Sequence, residues 1–359
     1  MVPCDMTQPG SLRMLARRAS YRIALVRFWQ EARKERVTFE RFTGRRLATS
    51  DRRAALQYAE DVLGSRAHAP WLEVFTLARG GFVEGWIPAD FFDLIVMPHE
   101  NGTYRSLAST KSFTHRVLQD DALPDVAQIV QGHVYDLRQS PIPVDEVRRH
   151  VFSRGERVIV KDDGGTQSRH VTLYDSVTFD VHRIAREHPN AAIQTVIEDH
   201  PTFTALSGTI GTKLRILTHR SAGHAAVTRG AYLALPRGSD VFTRAGVTAY
   251  VSVNVSTGIT GPVYPDANVR ASRHSDTNAP LENIALPGFR AAVATCERLH
   301  DTVPHLGVIG WDVMIDRDAQ PWVIEWNTNV PNLFMIEAYM GPAFLELGWH
   351  DLRWSPREP

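Results

Sequence analysis

The feature that most restricts what this chain can become is a short acidic pattern near its C-terminal end. Gly310-Trp311-Asp312-Val313-Met314-Ile315-Asp316 and Trp322-Val323-Ile324-Glu325-Trp326-Asn327 are two runs rich in β-branched and aromatic residues, separated by the polar stretch Arg317 to Gln320. Two strands joined by a tight loop follow from that composition. With a four-residue loop, Asp316 faces Pro321, Met314 faces Val323, Asp312 faces Glu325 and Gly310 faces Asn327. Two carboxylates then stand side by side, with Asn327 on the same face about 7 Å further along. Like charges directly across a strand pair repel, so the arrangement calls for a cation. Two carboxylates and an amide oxygen are hard ligands suited to Mg2+ or Mn2+, ions that complete their shells with water and phosphate. The competing reading is a plain surface hairpin with one acid turned to solvent, because a loop one residue longer puts Asp312 and Glu325 on opposite faces.

The rest of the chain bears on that choice. Its 359 residues, 43% of them hydrophobic, leave room for two or three domains with cores of their own. Forty basic and 40 acidic side chains give zero formal charge, so no overall field draws the chain to nucleic acid or anionic lipid. No apolar run reaches the ~18 residues of a transmembrane helix and the N-terminus lacks a secretion signal's apolar core, which points to the cytoplasm. Cys4 and Cys296 stand far apart and outside any metal-type spacing, in keeping with a reducing compartment. Only four of the 40 basic residues are lysine: Lys34, Lys111, Lys161 and Lys213. Where arginine serves for nearly every other cation, the surviving lysines mark positions that need a compact ammonium.

Taken in order, residues 11 to 36 read as a basic amphipathic helix, packed on the domain or directed at a membrane surface or partner. Ser50 caps a second helix, Asp51 to Leu63, and Pro88 opens a short one through Val96. Glu100 to Thr103 reads as a turn between strand-like pieces. Lys111 falls in the first turn of a helix running to about Leu118, near unpaired backbone N–H groups that favour an anion. An extended segment, Val126 to Val134, follows. The strand Arg157 to Lys161, then Asp162-Asp163-Gly164-Gly165-Thr166, is either a phosphate cradle or a hairpin with an exposed lysine. Ala192 to Ile197 is a buried strand ending in Glu198 and Asp199, acids that hold ribose hydroxyls or are simply solvated. Lys213 and Arg215 share one face of the strand Thr212 to Thr218 and require an acidic neighbour or an anionic ligand. Residues 224 to 256 alternate as strands. Residues 257 to 287 form a long irregular connection carrying Arg270, Arg273 and His274, and a helix runs from Pro287 to about Val303.

These pieces in series resemble the ATP-grasp superfamily, most closely its sugar-transfer-associated branch, over roughly residues 80 to 345. The resemblance is carried by Lys111 before Leu123-Pro124, Val160-Lys161 with Gly164-Gly165, Val196-Ile197-Glu198 with His200-Pro201, and Leu214-Arg215-Ile216-Leu217-Thr218. It continues through Ser256-Thr257-Gly258, His274-Ser275-Asp276-Thr277 and Leu286-Pro287 to Gly310-Trp311-Asp312 with Ile324-Glu325-Trp326-Asn327. The resemblance implies an α+β ATP-grasp fold: two α+β lobes clasping ATP, with an N-terminal, largely helical extension. The expected divisions are a helical region 1–70, an α/β part 71–120, a lid 121–198, and a C-terminal core 199–359 with the metal hairpin.

By that resemblance Lys111, Lys161, Gly164 and Gly165 hold ATP phosphates, while Ile197 and Glu198 hold adenine and ribose. Asp312, Glu325 and Asn327 bind Mg2+ or Mn2+, and Arg215 stabilises the transferred phosphoryl group. The branch often has Asn-Thr before its Leu-Arg pair, where this chain has Thr212-Lys213, so Lys213 is expected to take over that contact. An Asp-Asn-Phe with paired glycines likewise stands here as Asp240-Val241-Phe242 with Ala245-Gly246. The implied chemistry joins a small-molecule carboxylate to an amine through an acyl phosphate, in polysaccharide or natural-product synthesis. Arg270, Arg273 and His274 are candidates for the substrate pocket, since they offer cations to a carboxylate. A kinase acting on a hydroxyl and a non-catalytic nucleotide-binding protein are the alternatives. A homodimer is one option for the oligomeric state.

Overall fold

Alternating and continuous runs of Val, Ile and Leu make the strands of this chain, and their pairing decides where its polar residues meet. The computed structural model describes residues 9–164, 171–237, 248–265 and 275–355. Cys4, Gly165, Arg270, Arg273, His274 and the Asp240-Val241-Phe242 and Ala245-Gly246 segments lie outside them. The chain divides into two compact units, one formed up to Thr103 and from Asn332 onward, the other from Tyr104 to Pro331 apart from a short segment after Tyr264.

The first unit is helical. It contains α1 (Pro9–Thr43), α2 (Thr49–Asp61) and α3 (Ala69–Arg79), then a run of short helical turns from Ala89 to Ser109 that crosses into the second unit. The strand-like pieces expected around Glu100 to Thr103 are therefore helical. Ser50 is not the cap of α2, whose N-cap is Ala48, without a side-chain hydrogen bond. Ala32 and Phe39 of α1 are fully buried, as are Leu72, Val74 and Phe75 of α3.

The second unit holds two antiparallel sheets. In the smaller, β1 (Asp125–Val130), β2 (His133–Tyr135), β3 (Arg157–Asp162), β4 (Val171–Asp175) and β5 (Ala191–Thr195) stand in the order β2-β1-β5-β3-β4. Helices α4 (Val144–Val151) and α5 (Val181–Glu187) contribute Val147, Val151 and Ile184 to its core, against Val158, Val160 and Ile193. Between the sheets in sequence lies α6 (Pro201–Ser207). The larger sheet runs β11-β10-β6-β7-β8-β9, built from β6 (Lys213–His219), β7 (Val227–Pro236), β8 (Thr248–Val253), β9 (Thr260–Tyr264), β10 (Val308–Ile315) and β11 (Pro321–Asn327). The segment read as a wholly irregular connection after residue 257 thus contains a strand, β9. Helix α7 (Phe289–Asp301) packs Ala292, Cys296 and Leu299 into the core that Leu214 and Ile216 of β6 also enter. Period two then turns Lys213 and Arg215 to the other face. Helix α8 (Phe334–Met340) returns to the first unit. Among the described residues no helix is long and apolar enough to cross a membrane.

Candidate functional site

The C-terminal hairpin is β10 and β11. Gly310 pairs with Asn327, Trp311 with Trp326 and Asp312 with Glu325, as the sequence predicts, but Val313 pairs with Val323 and Ile315 with Pro321. The connecting turn, Asp316 to Gln320, is one residue longer than expected, closed by Asp316 N–H donating to the Gln320 carbonyl at 3.0 Å. The Asp316 carboxylate accepts from the backbone N–H groups of Asp318 and Gln320 and from Trp322 Nε1, which holds the turn in place. A longer turn alone would have put Glu325 on the far face. A β-bulge at Ile324 adds one residue to β11 and restores the side-by-side acids.

The bulge also frees a carbonyl. Lys161 of β3 donates to the Ile324 carbonyl at 3.0 Å, and Gln194 of β5 reaches the same oxygen at 3.4 Å. Lys161 is therefore buried, not an exposed hairpin lysine. Burial pushes its ammonium down to about 8; Glu325 opposes that shift, Lys213 reinforces it, and Asp125 opposes it. Asp125, at the start of β1, is itself pushed up to about 6 by burial, with Lys161 acting against the shift, and accepts from Gln194 at 3.4 Å.

Across the larger sheet, Glu325, Asp312, Arg215 and Tyr232 occupy one row of paired positions on β11, β10, β6 and β7. Arg215 Nε donates to Asp312 Oδ1 at 2.5 Å and its Nη1 to the Pro331 carbonyl at 2.8 Å, while Lys213 Nζ is 3.6 Å from Asp312 Oδ2. The acidic neighbour that the two β6 cations require is Asp312. Burial alone would raise the Asp312 carboxyl, but Arg215 first and then Lys213 outweigh it and hold the group below its ordinary value. The Glu325 carboxylate makes no hydrogen bond or ion pair among the described residues. Asn327 donates weakly to the Gly310 carbonyl at 3.4 Å.

An open cleft of ≈ 140 Å³ collects four of the predicted residues, Lys111, Gly164, Glu325 and Asn327. Lys111 lies in the 3-10 turn Lys111–Phe113, with Nζ 3.4 Å from the Asp162 carbonyl. Gly164 has φ +70°, a conformation that favours glycine, and its N–H donates to the Ser109 carbonyl at 2.8 Å. Asp163 clips this loop to Ser112, accepting from its N–H at 2.8 Å and its hydroxyl at 2.7 Å. Ile197 and Glu198 do not line the cleft. β5 ends at Thr195, Ile197 is buried, and Glu198 is half exposed, paired with Arg317 at 2.8 Å. The neighbouring Asp199 is the buried acid; its Oδ2 accepts from the Gly211 and Thr212 N–H groups, both at 2.9 Å.

Sequence reasoning missed Arg105 and the segment Thr328 to Val330, which complete the cleft. Thr328 joins them, donating to the Arg105 carbonyl at 2.8 Å and accepting from Ala108 N–H at 3.4 Å. The only sequence signal was the continuation of the hairpin as Asn327-Thr328-Asn329. Asp125 and Gln194 gave none, being ordinary strand residues until β1 and β5 pair beside Lys161.

The donor set suits a small divalent cation. Among the described residues no group of three or more His, Cys, Asp or Glu side chains is placed to hold a metal without help. Two acids and an amide leave most of a Mg2+ shell to water and phosphate, the arrangement that ion favours. Glu325 and Asn327 both face the cleft, and Asp312 keeps lone pairs beyond those given to Arg215 and Lys213.

A family model described as sugar-transfer associated ATP-grasp matches residues 152–346, just over half of the chain. No curated protein matches it. Among solved structures, a biotin carboxylase–β,γ-ATP complex from Campylobacter jejuni is 11% identical with a TM-score of 0.43, over 68% of this chain and 46% of that one. The D-alanyl-alanine synthetase A of Vibrio cholerae is 9% identical with a TM-score of 0.38, over 70% of this chain and 66% of that one. An L-amino acid ligase from Bacillus licheniformis is 14% identical with a TM-score of 0.38, over 69% and 48%. The chain thus spans between about half and two thirds of the length of these proteins.

Proposed function

The chain belongs to the sugar-transfer associated ATP-grasp family, and from that premise we propose that it is an ATP- and magnesium-dependent ligase joining a carboxylate to an amine through an acyl phosphate. The observation that carries this reading is the convergence on one cleft of Lys111, Gly164, Glu325 and Asn327, with Lys161, Lys213, Arg215 and Asp312 beside it. At ≈ 140 Å³ the cleft is smaller than the ~300–1,000 Å³ of a site for a whole small molecule, so it suits the phosphate end of a nucleotide.

In this proposal the smaller sheet is the lid and the larger sheet is the catalytic core. Lys111 reaches the phosphates where the loop at Gly164 leaves room for their close approach, and Lys161 supplies a charge close to the hairpin. Glu325, Asn327 and Asp312 would hold the divalent ion, which would supply positive charge to neutralise the phosphates. Arg215, fixed by Asp312 and the Pro331 carbonyl, and Lys213 stabilise the phosphoryl group as it passes to a substrate carboxylate. Fixed cations in a buried site favour that charge more than mobile ones in water do. The acyl phosphate then yields to an amine, with release of phosphate.

The test is a screen of carboxylate and amine pairs for ADP release, with hydroxylamine present to trap acyl phosphate. A hydroxamate formed only with ATP, magnesium and a carboxylate supports the ligase. ADP release without amine, accompanied by a stable phosphorylated alcohol, would make the protein a kinase.

A further inference from the structure

Helix α1 is apolar on two sides. One side is accounted for: Ala32 and Phe39 are buried, 1% and 0% exposed. The other is not. Leu15, Ile23, Val26 and Trp29 are each about half exposed, and Val37 is 37% exposed. At 100° per residue these five fall within an arc of about 120°, roughly 33 Å long from first to last.

The charges follow the same geometry. Arg22 and Arg33 lie within the arc, and Arg18, Arg27 and Lys34 flank it, all five exposed. Between Leu15 and Val37 the only acids are Glu31 and Glu35, and the same angular count puts both on the opposite half of the helix. Glu40, further along, is 4.0 Å from Arg36. A chain with no net charge has thus gathered five cations around one exposed apolar stripe.

Where the stripe reaches Trp29 it meets a cleft of ≈ 230 Å³ lined by Trp29, Arg33, Arg36, Arg52 and Glu73. Buried Glu73 holds Arg36 at 3.3 Å and Arg52 at 3.0 Å, each by one nitrogen, and the Arg33 guanidinium stands 5.7 Å from the Trp29 ring. One carboxylate therefore fixes two guanidiniums whose remaining donors can take an anion, as Arg does for phosphate.

We propose that α1 is a membrane-surface helix: the Leu15–Val37 stripe inserts at the headgroup boundary of an anionic bilayer, and the arginine cleft takes a lipid phosphate. Aliphatic side chains and a Trp on one face, with five cations in or beside it and no acid on it between Leu15 and Val37, are what such a surface selects. A protein groove for this helix would need acids of its own in register with five cations, whereas an anionic bilayer presents negative charge everywhere. The inference does not depend on the ligase reading, because it concerns the helical unit alone.

The test uses the full-length protein in co-sedimentation with vesicles of phosphatidylcholine, with or without phosphatidylglycerol. Binding is expected only when phosphatidylglycerol is present. Arg22→Gln and Arg33→Gln should each weaken it about fivefold at low salt, and the combined Ile23→Ser, Val26→Ser, Trp29→Ser variant by at least about tenfold. The arginine variants remove no apolar contact, so they keep the test valid if the triple variant folds poorly. No binding, equal binding to both vesicles, or variants that bind like the parent would overturn the proposal. So would a dimer that the triple variant converts to monomer without any vesicle binding, since a second copy would then cover the stripe. Release from vesicles by soluble glycerol phosphate at matched phosphate concentration would give the cleft to a free anion and also end the case.

Discussion

Replacing Asp312 by asparagine removes one negative charge from between two cations and leaves the shape of the row intact. Arg215 and Lys213 are each 15% exposed at the side chain, and Asp312 is 7% exposed, so the stranded cations cannot recover water freely. An ion pair at about 4 Å in surroundings of effective dielectric about 20 is worth roughly 4 kcal/mol before desolvation. Removing one partner of a buried pair costs about 3–5 kcal/mol, because the survivor stays buried without its counter-charge. That is a large fraction of the ~5–15 kcal/mol that holds a typical domain together. Asp312→Asn is therefore expected to lose about 3–5 kcal/mol in urea unfolding at neutral pH. The paired replacement Arg215→Met with Asp312→Leu removes the close pair and strands only Lys213, so it should recover part of that loss. The pH dependence has a definite sign. Asp312 titrates lower in the folded chain than in the unfolded one, so its contribution is present above the unfolded pKa and is lost as the pH falls through the folded value. Below that range the single variant and the parent should converge. A loss under about 1 kcal/mol for Asp312→Asn, or a paired variant as unstable as the single one, would show that the row is not electrostatically coupled.

Lys161 titrates at about 8 in the folded chain against 10.5 for an unburied lysine, so the unfolded chain holds more protons between those values and stability should rise as the pH climbs through them. Nucleotide affinity should do the reverse, falling up to about tenfold per unit above pH 8 as the ammonium is lost. Calorimetry from pH 7 to 9.5 measures this, and a profile that is flat, or unchanged in Lys161→Met, refutes it. Asp199 is pushed up to about 7 by burial, and one of its oxygens has no hydrogen-bond partner among the described residues. The folded chain holds the proton between about 4 and 7, so Asp199→Asn should gain roughly 2–4 kcal/mol over the parent at pH 8 and little below about pH 4 in denaturant titrations. A Cβ on Gly310 would meet Pro331 at 2.8 Å, with the Pro331 carbonyl that anchors Arg215 at 3.0 Å. Gly310→Ala should cost about 1–3 kcal/mol and weaken nucleotide binding too, read by melting with and without MgATP.

The site's principal pairs were legible in the sequence because strands have a period of two. Lys213 on the same face as Arg215 needs only the identity of the strand, whereas Asp312 stands opposite Glu325 because the bulge at Ile324 offsets a turn one residue longer than the sequence suggests. What stayed hidden was contact at long range. The Ile324 carbonyl that receives Lys161 lies 163 residues further along the chain, and no local pattern announces it. Glu198 falls outside the cleft because β5 stops at Thr195, short of the acid, and its carboxylate pairs with Arg317. The short helices α4, α5, α6 and α8 span seven or eight residues each. That is too brief for a clear 3.6-residue period, and tertiary packing rather than propensity makes them.

The spare residue at Ile324 has a consequence for how this hairpin can vary. Lengthening or shortening the Asp316 to Gln320 turn by one residue would rotate Glu325 and Asn327 away from the cleft, unless β11 gained or lost a residue as well. Insertions and deletions here are therefore tolerated only in matched pairs. Straightening the strand and shortening the turn by one residue together would keep the acids side by side but withdraw the oxygen on which Lys161 hangs, so the same irregularity serves as spacer for one sheet and hook for the other.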